Sequence, residues 1–252
     1  MSNEIQKSTK QGGMQKSTGQ KLDLASLNVQ TLSQCLGGMS IPRLFYQLVV
    51  FVLDGSGSMK LRGESIKSKG EEVENTVKKV IERLQNSKNN KSFDISVWAY
   101  AEECQEVLPL ISTTDINLAI SLNPCSYITQ NRRTELKETL VNVRDLCNEY
   151  LLKYHSKNTQ ALVLILSDGA IHDQDDAMEL CKEIKNNNKI TISTILFESK
   201  DWKEKYEDED LKFLQDNLKM LSSGSDFFAS TLDPEEVRKH MIKSISTVSK
   251  ID

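Results

Sequence analysis

Two apolar runs, each followed at once by a polar turn with an aspartate, are the clearest feature of the hydrophobicity pattern. Residues 48–53 read LVVFVL and lead into Asp54, and residues 161–166 read ALVLIL and lead into Ser167-Asp168-Gly169. Runs of this composition, without a polar position, are typical of strands that are covered on both faces. The pattern therefore predicts two central strands, each with an aspartate just beyond its carboxyl end.

The segments between and after these runs alternate between helical and strand-like spacing. Helices are predicted over 64–85, 116–120, 134–154, 173–186, 208–221 and 234–248. Further strands are predicted over 93–100, 107–110, 190–197 and 226–230. Strands alternating with helices indicate an α/β fold, a Rossmann-like three-layer sandwich with a mostly parallel central sheet and helices on both faces. Folds of this kind bind their ligands at the carboxyl ends of the strands.

The chain divides into two parts by composition. Residues 1–44 are predicted to form a partly flexible N-terminal arm, because the first 22 are rich in Lys, Gln, Ser, Thr and Gly, whereas the later ones carry scattered Leu and Ile. Residues 45–252 are predicted to form one α/β domain, which is an ordinary length for a single domain.

Composition excludes several classes of function. The chain has 252 residues, 38% of them hydrophobic, and a net charge of −4, which offers no broad field for nucleic acid or an anionic membrane. It has no apolar stretch near the roughly 20 residues that span a bilayer, and its start lacks the apolar core of a signal peptide. We therefore expect a cytoplasmic protein without a membrane or nucleic-acid partner. The five cysteines form no C-x-x-C pair, which favours reduced thiols over a zinc ribbon.

The turn after the first apolar run carries the candidate chemistry. It reads Asp54-Gly55-Ser56-Gly57-Ser58, with a carboxylate and two hydroxyls at alternate positions of a glycine-loosened turn. Hard oxygen ligands that converge in this way suit a hard divalent cation such as Mg²⁺. The alternative is that these side chains only form a turn and cap the next helix.

With two further motifs, the chain resembles the von Willebrand factor A domain family over residues 45–250. The motifs are Asp54-x-Ser56-x-Ser58 after the first strand, Thr134 in T-E-L-K-E-T-L, and Asp168-Gly169 after the second apolar run. The resemblance, which is strongest to intracellular stand-alone members, implies a metal-ion-dependent adhesion site for Mg²⁺, with Mn²⁺ or Ca²⁺ as alternatives. It implies that Ser56 and Ser58 bind the ion directly, Thr134 directly or through water, and Asp54 and Asp168 largely through coordinated waters.

One position departs from the family pattern. The family usually has glycine just before the threonine, whereas this chain has Arg132-Arg133, so Thr134 is the least secure ligand. The two guanidinium groups either face water, which is the simpler interpretation, or pair with an acidic group of a partner. Together with Gly55, Gly57 and Gly169, they complete the predicted partner-binding rim.

These observations predict a non-enzymatic adaptor or signalling module. A Mg²⁺ ion held by hydroxyls and distant carboxylates keeps an open position, which an Asp or Glu side chain of a protein partner can fill. The alternative is a metal-dependent hydrolase of the phosphoesterase type on the same fold, with His172 or Asp173 as the base. RNA binding, as in Ro-type proteins with a similar domain, is disfavoured by the acidic balance and the lack of a basic second domain. The sequence predicts no oligomeric state.

Overall fold

The computed structural model describes residues 43, 45–63, 65–155, 157–199 and 207–249. Apart from Arg43, the predicted N-terminal arm lies outside the described residues. The domain boundaries therefore stay a prediction.

Strands and helices alternate along the described chain. The strands are β1 Tyr46–Asp54, β2 Phe93–Tyr100, β3 Cys104–Ser112, β4 Thr159–Ser167, β5 Ile190–Phe197 and β6 Phe228–Thr231. The helices are α1 Lys69–Gln85, α2 Lys137–Lys153, α3 Gln174–Lys185, α4 Asp208–Leu221 and α5 Pro234–Val248.

Within the described residues the strands form one sheet in the order β3-β2-β1-β4-β5-β6. Only the pairing of β2 with β3 is antiparallel, and the other neighbours run parallel. The two apolar runs are therefore adjacent at the centre of the sheet, with Leu53 opposite Leu166. This register places the turn after Asp54 beside the turn that carries Asp168.

Helices cover both faces of the sheet, which confirms the predicted three-layer fold. Leu48, Val50 and Val52 of β1 belong to a buried cluster that includes residues of α2, α3 and α4. Their neighbours Val49 and Phe51 belong to a second cluster, on the side of α1 and α5. Successive side chains of a strand point to opposite faces, so each face of β1 needs apolar residues. This double covering explains the uninterrupted apolar run.

Two helices start later than their patterns predict. Helix α1 begins at Lys69, not at residue 64, because Ser68 and Glu71 form a capping box there. Helix α2 begins at Lys137, not at Thr134. Its first backbone N–H groups are satisfied from outside the helix by the carboxylate of Asp173.

Three smaller predictions also need correction. Residues 116–120 form turns instead of a helix, after a short 3₁₀ segment at Thr113–Asp115. The edge strand β3 is longer than the predicted 107–110, and Pro109 lies exposed within it, as suits an edge. The final strand β6 begins at Phe228, two residues later than predicted, because a 3₁₀ turn occupies Ser225–Phe227.

Four cysteines fall within the described residues, and all are free thiols. Cys147 and Cys181 are buried, and burial raises the pKa of each thiol to about 12. Cys35 lies outside the described residues. Of the helices that the structure describes, none combines the length and apolar character that a bilayer crossing needs.

Candidate metal-binding cleft

A cleft of about 630 Å³ opens at the carboxyl edge of the sheet. Three loops supply most of its lining: the turn after β1, the segment before α2 and the turn after β4. The lining residues include Ser56, Gly57, Ser58, Asn131, Arg132, Thr134, Asp168, Gly169 and His172, together with Lys69 at the start of α1. Most of the predicted site residues therefore meet in one place.

Asp54 lies fully buried beneath the cleft and organises the first loop. Its Oδ1 accepts a hydrogen bond from the backbone N–H of Ser56 at 2.8 Å, and its Oδ2 accepts one from Ser167 Oγ at 2.9 Å. Burial, aided by the nearby charge of Asp168, raises the pKa of the Asp54 carboxyl to about 7. Asp54 thus links the end of β1 to the end of β4.

A chain of hydrogen-bonded oxygens crosses the floor of the cleft. Ser56 Oγ and Ser58 Oγ lie 3.0 Å apart, and Ser58 Oγ donates to Asp168 Oδ1 at 2.7 Å. These atoms come from two loops that are separated by about a hundred residues in sequence. The predicted convergence of these side chains is therefore present in the fold.

Lys69 is a residue of the cleft that sequence reasoning missed. Its Nζ lies 2.7 Å from Asp168 Oδ2, and the two side chains are only 2% and 0% exposed. A signal for its position exists in the sequence, since Ser68-Lys69-Gly70-Glu71 matches the capping-box pattern S-x-x-E. That pattern places Lys69 in the first helical position, directly after the loop.

Thr134 and His172 tie two of the loops together. The backbone N–H of Thr134 donates to His172 Nδ1 at 2.9 Å, and the backbone N–H of His172 donates to the Thr134 carbonyl at 2.8 Å. Thr134 is buried and lines the cleft, although it precedes α2 and does not form its first turn. His172 is exposed, and its Nδ1 is engaged as an acceptor.

The arginine pair is held by an acidic residue that the sequence reasoning also missed. Glu102 Oε1 accepts hydrogen bonds from the backbone N–H groups of Arg132 at 2.6 Å and Arg133 at 3.0 Å. Arg132 lines the cleft, whereas the Arg133 guanidinium lies 3.3 Å from the Glu135 carboxylate. The structure therefore separates the two arginines, and only Arg132 faces the cleft.

The three glycines of the predicted rim also differ. Gly57 and Gly169 line the cleft. Gly55 is buried instead, and a Cβ on it would lie 2.7 Å from Ile128 Cγ1 and 3.0 Å from the Pro124 carbonyl oxygen. Its absent side chain lets the 124–128 segment pack on the turn, so the structure assigns it a packing role and not a partner contact.

Asp173 has a structural role outside the cleft. Its carboxylate accepts the backbone N–H groups of Leu136 at 2.9 Å and Lys137 at 2.7 Å, and so caps α2. The side chain lies in a separate acidic depression of about 260 Å³, beside Glu135 and Asp176. The Asp173 carboxylate, which the hydrolase alternative would use as the base, is therefore directed away from the serine hydroxyls.

The donor set fits a hard cation. Among the described residues, no three His, Cys, Asp or Glu side chains are grouped so as to hold a metal. The hydroxyls of Ser56 and Ser58 and the carboxylate of Asp168 form a contiguous set of oxygens, which is the kind of ligand that Mg²⁺ prefers. One oxygen of Asp168 is shared with the ammonium group of Lys69, which a dication would have to tolerate.

The family sequence model of the von Willebrand factor type A domain matches residues 49–230, the greater part of the chain. The chain belongs to the von Willebrand factor type A domain family. Domains of this family generally serve as protein-interaction modules and not as enzymes. A search of curated proteins finds no significant match.

Several solved structures share the fold of this von Willebrand factor type A domain. Proximal thread matrix protein 1 from the mussel byssus is 15% identical, with a TM-score of 0.55, over 83% of this chain and 47% of that one. The pilus adhesin SpaC from Lactobacillus rhamnosus GG is 10% identical, with a TM-score of 0.64, over 81% of this chain and 30% of that one. The SpRpn10 VWA domain is 15% identical, with a TM-score of 0.52, over 82% of this chain and 100% of that one. The chain thus spans about half or less of the mussel and pilus proteins, and the likeness concerns the fold.

Proposed function

We propose that this domain binds a protein partner at the cleft, through a Mg²⁺ ion that accepts an acidic side chain of the partner. The observation that carries the proposal is the hydrogen-bonded chain from Ser56 through Ser58 to Asp168. It brings hard oxygen donors from two loops to one point on the floor of the cleft. Mn²⁺ and Ca²⁺ are alternatives, because they also prefer oxygen ligands.

The surrounding residues support capture of a carboxylate. Ser56, Ser58 and Asp168 would hold the ion, with Thr134 in the lining of the same cleft, and the ion would supply a positive centre for the incoming carboxylate. Arg132 at the rim adds a positive charge that favours an acidic partner. A Cβ on Gly169 would meet no atom within 4 Å, so the partner can approach the backbone there.

The hydrolase alternative has less support. Asp173 is engaged in capping α2, and His172 Nδ1 already accepts the N–H of Thr134. We therefore favour the interaction module over the enzyme. The cytoplasmic location and the signalling role stay predictions.

Peptide capture tests the proposal directly. The immobilised protein is incubated with an array of acidic peptides and with the same peptides carrying Asn or Gln in place of Asp or Glu. We expect binding of acidic peptides that needs Mg²⁺, is reversed by EDTA and is lost in Ser58→Ala. Ser126→Ala, an exposed serine on a neighbouring loop, is the matched control and should bind as the wild type does.

Binding that persists in EDTA and in Ser58→Ala would contradict the proposal. Turnover of a phosphoester that requires His172 would support the hydrolase instead.

A further inference from the structure

A buried lysine forms part of the floor of the cleft. The side chain of Lys69 is 2% exposed, and its Nζ contacts Asp168 Oδ2 at 2.7 Å. An ammonium group is costly to bury unless it is paired with a carboxylate. The ion pair is therefore a fixed element of this cleft and not a surface contact.

Hydrogen bonds fix the backbone at Lys69, from which the side chain reaches Asp168. Ser68 and Glu71 form the capping box of α1, and the backbone N–H of Lys69 donates to the Leu61 carbonyl at 3.0 Å. The first turn of a helix carries a partial positive charge, which disfavours a lysine at that position. The carboxylate of Asp168 contributes to offsetting both this unfavourable position and the burial.

Asp168 thereby joins two different groups. Its Oδ1 accepts from Ser58 Oγ, and its Oδ2 contacts the ammonium of Lys69. A dication bound beside Ser58 would share this one carboxylate with an existing positive charge. Like charges in a buried setting repel strongly, because solvent screens them little.

We propose that Lys69 is the resident cation of the cleft, a residue that holds the loops together without metal and lowers the affinity of the Ser56, Ser58 and Asp168 oxygens for any dication. This inference rests on the proposed function only for the identity of the metal-binding oxygens. It concerns metal affinity and loop assembly, and not the partner. The site would then select for conditions of high Mg²⁺ or for metal delivered together with a partner's carboxylate.

The experiment compares Mn²⁺ binding by the wild type, Lys69→Met and Lys60→Met. Free Mn²⁺ is measured by electron paramagnetic resonance, and folding is checked by circular dichroism. Lys69→Met keeps the length of the side chain and removes its charge. We expect its Mn²⁺ dissociation constant to be lower by about tenfold or more, because the like-charge repulsion is gone. Lys60 is exposed on the same loop, so Lys60→Met should bind as the wild type does.

A second measurement does not depend on the variant folding. Urea unfolding of the wild-type chain is followed with EDTA and with excess Mg²⁺. We expect a cooperative unfolding transition in EDTA and a midpoint that excess Mg²⁺ raises only slightly, because the Lys69 ammonium already stabilises the loops and weak metal binding adds little to this. Lys69→Gln serves as a second neutral variant for the Mn²⁺ titration.

Equal Mn²⁺ affinity in the wild type and in the neutral variants would overturn the inference, and so would a wild type that loses its fold on chelation. The two proposals fail separately. Tighter Mn²⁺ binding in Lys69→Met combined with metal-independent peptide capture would leave this inference standing and remove the proposed function. Metal-dependent capture with no effect of Lys69→Met would do the reverse.

Discussion

Two buried carboxylates at opposite edges of the sheet have the same kinds of partner but lie in different surroundings. At the carboxyl edge, Asp168 is contacted by the ammonium of Lys69 and the hydroxyl of Ser58, each at 2.7 Å. At the amino edge, Asp94 is contacted by the guanidinium of Arg43 and the hydroxyl of Tyr150, also at 2.7 Å each. Each carboxylate thus has one basic partner and one hydroxyl donor.

The surroundings of the two pairs differ. Aromatic rings pack around the amino-edge pair: Arg43 lies over the Tyr46 ring at 5.2 Å from its centroid, and Tyr46 stacks on Tyr154 with their centroids 4.3 Å apart. At the carboxyl edge a second carboxylate, Asp54, lies nearby and a wide cleft opens above. The amino-edge pair therefore joins the residue Arg43, before β1, to β2, and the Tyr150 hydrogen bond joins β2 to α2, whereas the carboxyl-edge pair lies at the base of the proposed binding cleft. Neighbours and access, and not the pair itself, decide which role an ion pair has.

The most severe loss is expected when the carboxylate of either pair is removed. Asp168→Ala removes a carboxylate that pairs with the buried ammonium of Lys69 and accepts from Ser58, and we expect a loss of about 3–5 kcal/mol in the free energy of unfolding. Asp94→Ala should cost less, about 1–3 kcal/mol, because Arg43 can turn into solvent and the chief loss is the Tyr150 hydrogen bond. Equilibrium unfolding in urea measures both.

Asp226→Ala, at an exposed carboxylate, is the control and should change stability by less than about 0.5 kcal/mol. A larger loss for Asp94→Ala than for Asp168→Ala would show that the amino-edge carboxylate contributes more to the free energy of unfolding than the carboxyl-edge one.

Two glycines that follow central strands should respond very differently to a methyl group. Gly55→Ala forces a Cβ to within 2.7 Å of Ile128 Cγ1 and should destabilise the domain by about 1–3 kcal/mol. Gly169→Ala meets open space and should stay within about 0.5 kcal/mol of the wild type. Thermal unfolding of the two variants separates a packing role from a rim role, and equal losses would refute this distinction.

The carboxyl edge should also add a pH dependence through Asp54. Its carboxyl has a pKa raised from 3.8 to about 7 in the folded domain, because it is buried beside Asp168. The folded state therefore binds this proton more tightly than the unfolded state does, and the contribution to stability falls as the pH rises between these values. We expect the stability of the wild type relative to Asp54→Asn to decrease by about 1 kcal/mol or more over this range.

Urea titrations at several pH values, in EDTA, measure this difference. A relative stability that is constant or rises with pH would show that Asp54 is ionised at least as easily in the folded domain as in the unfolded chain.

A small effect is expected at Arg43. Its side chain is 24% exposed, so water already screens its contact with Asp94. Arg43→Ala should cost about 1 kcal/mol or less, and added salt should reduce this cost further. Unfolding in low and high NaCl provides the measurement, and a cost near that of Asp168→Ala would mean that the amino-edge pair is effectively as buried as the other.

The order of the central elements was accessible from local pattern. The strands over 93–100 and 190–197 and the helices over 208–221 and 234–248 have the predicted bounds, because alternation and amphipathic spacing are properties of neighbouring residues. Where the start of a helix was predicted too early, a capping contact was responsible. Ser68 and Glu71, which lie three residues apart, cap the start of α1, so the local sequence is enough to recognise this cap. Asp173 caps the start of α2 from 36 residues away, so the local sequence does not reveal this cap.

Sequence alone determined the family, the apolar central strands and the convergence of Ser56, Ser58 and Asp168, because adjacent parallel strands must deliver their following loops to the same edge. Only the tertiary structure decided which partners these groups contact and which of them face the cleft. It placed the ammonium of Lys69 on Asp168, the carboxylate of Glu102 on the arginine pair and Gly55 under Ile128. Such contacts join residues that no local pattern relates, and burial, which sets their strength, exists only once the chain has folded.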